Sequence, residues 1–183
     1  MFTSTIVSNT KELEQILALQ KQFLRGKTSV DEEKEQGFLT VEHTLDLLIK
    51  MDELEHSIIV KDEKTLAGYA LTMPKACAEI IPELIPMFEN FDALFYKEKL
   101  INDYSFYVMG QICVDKKYRG KGVFEMLYQK HKEMFQHKYD FIITEISTKN
   151  YRSLRAHEKI GFKILQTYTD AIDEWAIVLW NWQ

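Results

Sequence analysis

The stretch "KKYRGKGVF", Lys116 to Phe124, concentrates four cations and two glycines in nine residues of a chain with net charge -5. An apolar run, "SFYVMGQICV" (105–114), precedes it. Its near-continuous apolar character predicts a central strand ending at Val114. After it, "KGVFEMLYQKHKEMFQ" predicts a helix starting near Lys121 or Gly122, with Val123, Met126, Leu127, Met134 and Phe135 on its inner face. The glycine segment is therefore a strand-to-helix turn. A helix N-terminus offers unpaired amides and partial positive charge. Glycines let the backbone turn tightly and approach an anion closely. Arg119, Lys121, Lys116 and Lys117 add charge, so the segment suits a phosphate-bearing ligand; the alternative is a tight turn with a solvated basic flank. It is not a Walker loop, because no Gly-Lys-Ser/Thr follows, and it lacks the third glycine of the dinucleotide fingerprint.

Downstream, "DFIITEIST" reads as a strand and "NYRSLRAHEKIG" as a helix capped by Asn150 and ended by Gly161. On that helix Asn150, Ser153 and His157 fall on one face. "FKILQTYTD" and "EWAIVLWN" close the chain as strands. Upstream, "FTSTIVS" is a first strand, and the helix after it is capped by Asn9 or Thr10. "TSVDEEKEQG" (28–37) is a polar connection, and "TVEHTLDLLIKM" a second helix with Thr40 as cap. "HSIIVKDEKTLAGYALTM" is a hairpin turning at "KDEKT". The segment 78–100, with Pro82 and Pro86, gives one or two helices, Pro86 lying near a helix start. This order predicts a single α/β domain, of α+β type, over residues 1–183, with a mixed, mostly antiparallel sheet and a parallel pair in its middle.

Composition narrows the function classes. Of 183 residues, 46% are hydrophobic and 28% charged, which predicts a globular chain with a real core. The acidic balance argues against a nucleic-acid binder, which needs an extended basic face. No apolar run reaches the ~18 residues that span a bilayer, and the start carries no secretory pattern. Cys77 and Cys113 lack metal-ligand spacing and read as free thiols of a cytoplasmic protein. No metal site is expected.

Taken together, "RGKGVF" and the Asn-led helix ending in Gly-Phe resemble the GCN5-related N-acetyltransferase superfamily. Its acyl-CoA signature, Arg/Gln-x-x-Gly-x-Gly/Ala after a strand, is met here by Arg119 and Gly122; the last position is Phe124. The Tyr usual four residues before the helix-ending glycine is His157. The likeness covers about residues 105–165. It implies a GNAT-like domain binding acetyl-CoA at a V-shaped opening between the strands "SFYVMGQICV" and "FIITEIST". The pantetheine arm would pair with the backbone of Ile112, Cys113 and Val114. The pyrophosphate would sit on the amides of Arg119, Gly120, Lys121, Gly122, Val123 and Phe124. Asn150 and Ser153 would steady the pantetheine side, and His157 would lie near the thioester sulfur.

The implied reaction is direct acetyl transfer to a primary amine of a small molecule or peptide. Gly110 allows a bulge that frees an oxyanion donor near Gln111 or Ile112, or else it is an ordinary strand glycine. His157 is a leaving-group acid or a structural contact. Glu145 interrupts an apolar strand, and is either the base that takes the amine proton or a charge on a solvated face. Gln111 orients substrate or water, since an amide does not titrate. Cys113 has no neighbouring base to activate it as a nucleophile. The apolar stretch 79–95 reads as core or a homodimer contact ahead of a lid. Glu83, Glu89, Asp92 and Glu98 would give it an acidic rim for a cationic acceptor. The alternative function is a non-catalytic acyl-CoA-binding sensor module.

Overall fold

The computed structural model describes residues 1–27, 33 and 37–182, the side chain of Glu83 excepted. The polar connection expected over 28–37 lies, apart from residues 33 and 37, outside the described residues. The chain opens with β1 (Phe2–Ile6), α1 (Thr10–Phe23) and α2 (Leu45–Leu54). The hairpin β2 (Ile58–Asp62) and β3 (Thr65–Pro74) follows, then α3 (Cys77–Ile80), α4 (Ile85–Asp92) and a small ribbon of β4 (Phe95–Tyr96) and β5 (Lys99–Leu100). The second half runs β6 (Phe106–Val114), α5 (Val123–Phe135), β7 (Phe141–Ser147), α6 (Tyr151–Ile160), β8 (Lys163–Thr169) and β9 (Glu174–Asn181). Seven of these strands form one sheet in the order β1-β2-β3-β6-β7-β9-β8. Its pairs are antiparallel except β6 with β7, the parallel pair expected at the centre.

Side chains alternate between the faces of a strand, and the sheet accordingly carries two buried clusters. Phe106, Val108, Phe141 and Ile143 pack with residues of α1, α2 and α4. Tyr107, Met109, Ile142 and Ile146 pack with Val123, Leu127, Tyr128 and Phe135 of α5. The segment 79–95 belongs to the first cluster, because Phe88 and Phe91 are buried there.

Two local expectations change. The second helix is capped by Thr44, whose Oγ1 accepts from the Leu47 amide at 3.3 Å, so it starts later than Thr40 would place it. On α5 the buried residues are Val123, Leu127, Tyr128, His131 and Phe135, while Met134 is 43% exposed. The inner face lies further round because polar-tipped rings bury where a partner reaches them: Tyr107 Oη meets His131 Nδ1 at 2.9 Å, and Tyr128 Oη meets His157 Nε2 at 2.6 Å.

The segment from Gly37 to His43 is tied onto the sheet by polar contacts. Leu39 exchanges backbone hydrogen bonds with Phe23 and Arg25 at 2.9 Å each. Gln20, fully buried, accepts from the His43 amide at 2.8 Å. Its Nε2 donates to Gln111 Oε1 at 2.7 Å and meets His43 Nδ1 at 2.8 Å. Burial lowers the His43 pKa to about 4, so the imidazole is neutral and Nδ1 accepts. Removing one member leaves buried partners unpaired, which costs about 1–3 kcal/mol per group. Gln20→Leu is therefore expected to destabilise the fold by about 2 kcal/mol or more, read as a lower urea midpoint with an unchanged slope.

Candidate active site

The pairing of β6 with β7 runs only over Phe106–Val108 against Phe141–Ile143. One residue further, Thr144 Oγ1 donates to the Met109 carbonyl at 2.9 Å in place of a ladder bond. The β3–β6 register skips Gly110, since Leu71 faces Gln111 while Thr72 faces Met109. A Cβ at Gly110 would stand 3.3 Å from Met73 Cβ, so the kinked strand has little room for a side chain there. A small cavity of about 90 Å³ lies between the outer halves of the two strands. Its walls include Gly110, Gln111, Glu145, Ser147, His157 and Trp175.

A larger cleft of about 650 Å³ adjoins it. Ile112, Cys113, Val114, Arg119, Gly120, Gly122, Val123, Phe124, Asn150 and Ser153, all singled out in the sequence, line it. Lys121 is not among its walls; the ammonium stands 5.5 Å from the Tyr118 ring centroid. Gly120 and Gly122 have φ of +73° and +81°, which L side chains rarely adopt, and a Cβ at either would meet open space. The first helical turn of α5 has no side-chain cap. Its first backbone bond is from the Met126 amide to the Gly122 carbonyl, so the amides of Val123, Phe124 and Glu125 have no intrahelical acceptor, whereas the Lys121 amide, expected among the phosphate-facing ones, donates to the Tyr118 carbonyl at 3.3 Å. Arg119 turns inward: Nε donates to the Val114 carbonyl at 3.1 Å and the guanidinium lies 4.6 Å from the Phe23 ring centroid. Burial pushes the Cys113 thiol up to about 12, which leaves it un-ionised and a poor nucleophile.

Glu145 is the titratable carboxylate of the small cavity. Burial raises its pKa to about 7, against a hydrogen bond that Tyr168 Oη donates to Oε1 at 2.7 Å. Asp170 adds a like charge that pushes in the same direction as burial. At the end of the cavity Ser147 Oγ donates to the buried Asp173 at 2.9 Å. Arg25 and Lys149 pair with the same carboxylate at 3.2 and 2.7 Å. The Lys149 ammonium, foremost among these contacts, lowers the Asp173 pKa to about 2.

The remaining candidates are engaged by the protein itself. Gln111 Oε1 accepts from Gln20 and from Tyr69 Oη at 2.7 and 2.6 Å, and Nε2 donates to the Val41 carbonyl at 2.8 Å. Asn150 Oδ1 accepts from the Ser153 amide at 3.2 Å, capping α6, and Nδ2 donates to the Phe38 carbonyl at 3.4 Å. His157 is 2% exposed. Its Nδ1 meets the Ser153 carbonyl at 2.8 Å, and a carbonyl only accepts, so Nδ1 carries the proton. Nε2 then accepts from Tyr128 Oη at 2.6 Å. Burial lowers the His157 pKa to about 4. Both nitrogens are thus committed within the protein. Phe124, which departs from the acyl-CoA signature as His157 departs from the usual Tyr, stands edge-on to His157 with centroids 5.2 Å apart, so the two residues are in contact.

Several wall residues escaped the sequence reading. Arg152, Arg155 and Lys159 line the large cleft from α6. Their spacing, three and four residues apart after the cap, is a readable helical stripe. Phe38 and Leu39 line both spaces, and Trp175 the smaller one. Tyr168 reaches Glu145 across a strand: Glu145 pairs with Ile177, Ile177 with Gln166, and Tyr168 lies two residues further on. No local pattern encodes that. Of the acidic rim expected from Glu83, Glu89, Asp92 and Glu98, Asp92 pairs with Lys75.

Among the described residues no three His, Cys, Asp or Glu side chains group as a metal site, and no helix is long and apolar enough to cross a membrane. No curated protein matches the chain in sequence. Solved structures match its fold over nearly the whole chain. An N-acetyltransferase from Staphylococcus aureus Mu50 is 18% identical with a TM-score of 0.64, covering 99% of each chain. An acetyltransferase of the GNAT family from Streptococcus agalactiae 2603 is 16% identical with a TM-score of 0.67, covering 100% of this chain and 96% of that one. YncA from Salmonella typhimurium, solved with its cofactor acetyl-CoA, is 10% identical with a TM-score of 0.63, covering 100% and 94%. The model of the acetyltransferase (GNAT) family matches residues 12–162, and the chain belongs to that family.

Proposed function

We propose that the chain transfers an acetyl group from acetyl-CoA directly to a primary amine, with Glu145 as the general base. The observation that carries this reading is the Glu145 carboxyl, shifted by burial to about 7, in a cavity that shares walls with the large cleft. The cleft fits acetyl-CoA. It offers uncapped helix amides beside two glycines with open space above them, and the cations Arg152, Arg155 and Lys159 on the opposite wall. Such an end of a helix favours a diphosphate. Acetyl-CoA supplies the activated thioester. The backbone of Ile112, Cys113 and Val114 is the edge for its pantetheine, with Asn150 and Ser153 opposite. Glu145 takes one proton from the acceptor ammonium and makes the nitrogen nucleophilic. An amide released at the Gly110 bulge, near Gln111 or Ile112, stabilises the oxyanion. The second nitrogen proton leaves with the sulfur, so His157 need not supply one; its place is in the packing of α6 on α5. Gln111 acts through the wall it holds and not by touching substrate. The sensor reading draws on the committed nitrogens of His157, and turnover with any amine rules it out.

Calorimetric titration with acetyl-CoA tests the cleft. Binding in the micromolar range is expected, about -8 kcal/mol, with none for ATP. Gly120→Asp places a carboxylate and a strained φ among the phosphate-facing amides and is expected to abolish the heat; unchanged affinity in that variant removes the pyrophosphate assignment.

Release of free CoA thiol from acetyl-CoA across a panel of primary amines tests the base. A base must be ionised, so kcat/KM is expected to rise as pH passes through about 7. Glu145→Gln is expected to lower kcat by roughly 10²–10⁴ while acetyl-CoA still binds. Equal turnover in that variant refutes the role.

A further inference from the structure

Glu145 does not stand alone in its cavity. The end of β8 reaches it from the far side of β9, with Tyr168 Oη on Oε1 at 2.7 Å. Two residues on, Asp170 begins the turn into β9. Its Oδ1 accepts from the Ile172 and Asp173 amides at 2.7 and 2.8 Å, which fixes the turn at the end of β8. The Tyr168 hydroxyl proton is directed at the carboxylate, since an ionised carboxylate only accepts. Other groups around the cavity are accounted for. His157 of α6 is neutral and committed, and Asp173 is bound by Arg25 and Lys149. Gln111 and Trp175, from β6 and β9, carry no charge.

Resting on Glu145 as the base, we propose that Tyr168 is its positioning residue: the hydroxyl clamps Oε1, so that Oε2 is the oxygen that takes the ammonium proton. The Tyr168 hydrogen bond favours the carboxylate over the acid. The edge strand β8 thereby sets the pH at which the site works. Tyr168 touches neither substrate nor donor; it acts through Glu145.

The titration needs no acceptor. The full chain is labelled with glutamate carrying ¹³C at the side-chain carboxyl and titrated by NMR. The Glu145 resonance is identified by its loss in Glu145→Gln. Tyr168→Phe keeps the ring and removes the clamp, and its Glu145 midpoint is expected to move up. A Tyr168→Phe midpoint equal to or below that of the unsubstituted protein overturns the proposal. A raised midpoint in Tyr168→Phe with full turnover in Glu145→Gln leaves the clamp standing and refutes the base instead, so the two failures are distinct.

Discussion

Thr144 Oγ1 on the Met109 carbonyl marks the point where the central strands stop being a ladder. Buried backbone groups must be paired, and a side-chain hydroxyl does here what the next strand residue would have done. The skipped Gly110 lies directly beyond, on the opposite strand. A fully paired β6–β7 would fill its own gap and place Glu145 in a closed sheet, where an ionised carboxylate is costly. The parted pair instead gives the carboxylate a cavity to face and leaves the cleft beside Ile112–Val114 open.

The wall over this opening comes from a segment with little regular structure of its own. Phe38 and Leu39 are held by α1, the Asn150 side chain and the Arg25 guanidinium, which stacks 4.9 Å from the Phe38 ring centroid. Gln20 and Gln111 secure the same segment further along. A connected set of buried polar residues therefore lies beneath the wall of the site. A buried network of this kind is costly if broken and rigid when complete.

The sequence was legible where chemistry is local. The strand-glycine-helix segment, the cap at Asn150, the parallel pair and the place of Glu145 all follow from residues near one another in the chain. The first helix boundary to shift, Thr40 to Thr44, did so because both threonines satisfy the same cap rule. The partners of His157 were hidden for a different reason: Tyr128 and Phe124 come from α5, which an α6 periodicity cannot reveal. Tyr168 was invisible on the same principle, since an intervening strand separates it from Glu145. The apolar pattern of α5 omitted Tyr128 and His131, whose burial depends on hydrogen bonds to other elements.

Phe38, Leu39, Ile112, Asn150 and Ser153 face both spaces, so the two are rooms with a common partition. The smaller room holds about 90 Å³. In the proposed reaction, an acyl tail and an amine head must share that volume at the moment of transfer. Each methylene added to the tail is taken from the space left for the nitrogen. Chain-length selectivity then needs no dedicated gate residue, because the donor that fits best is the one that leaves the acceptor somewhere to stand.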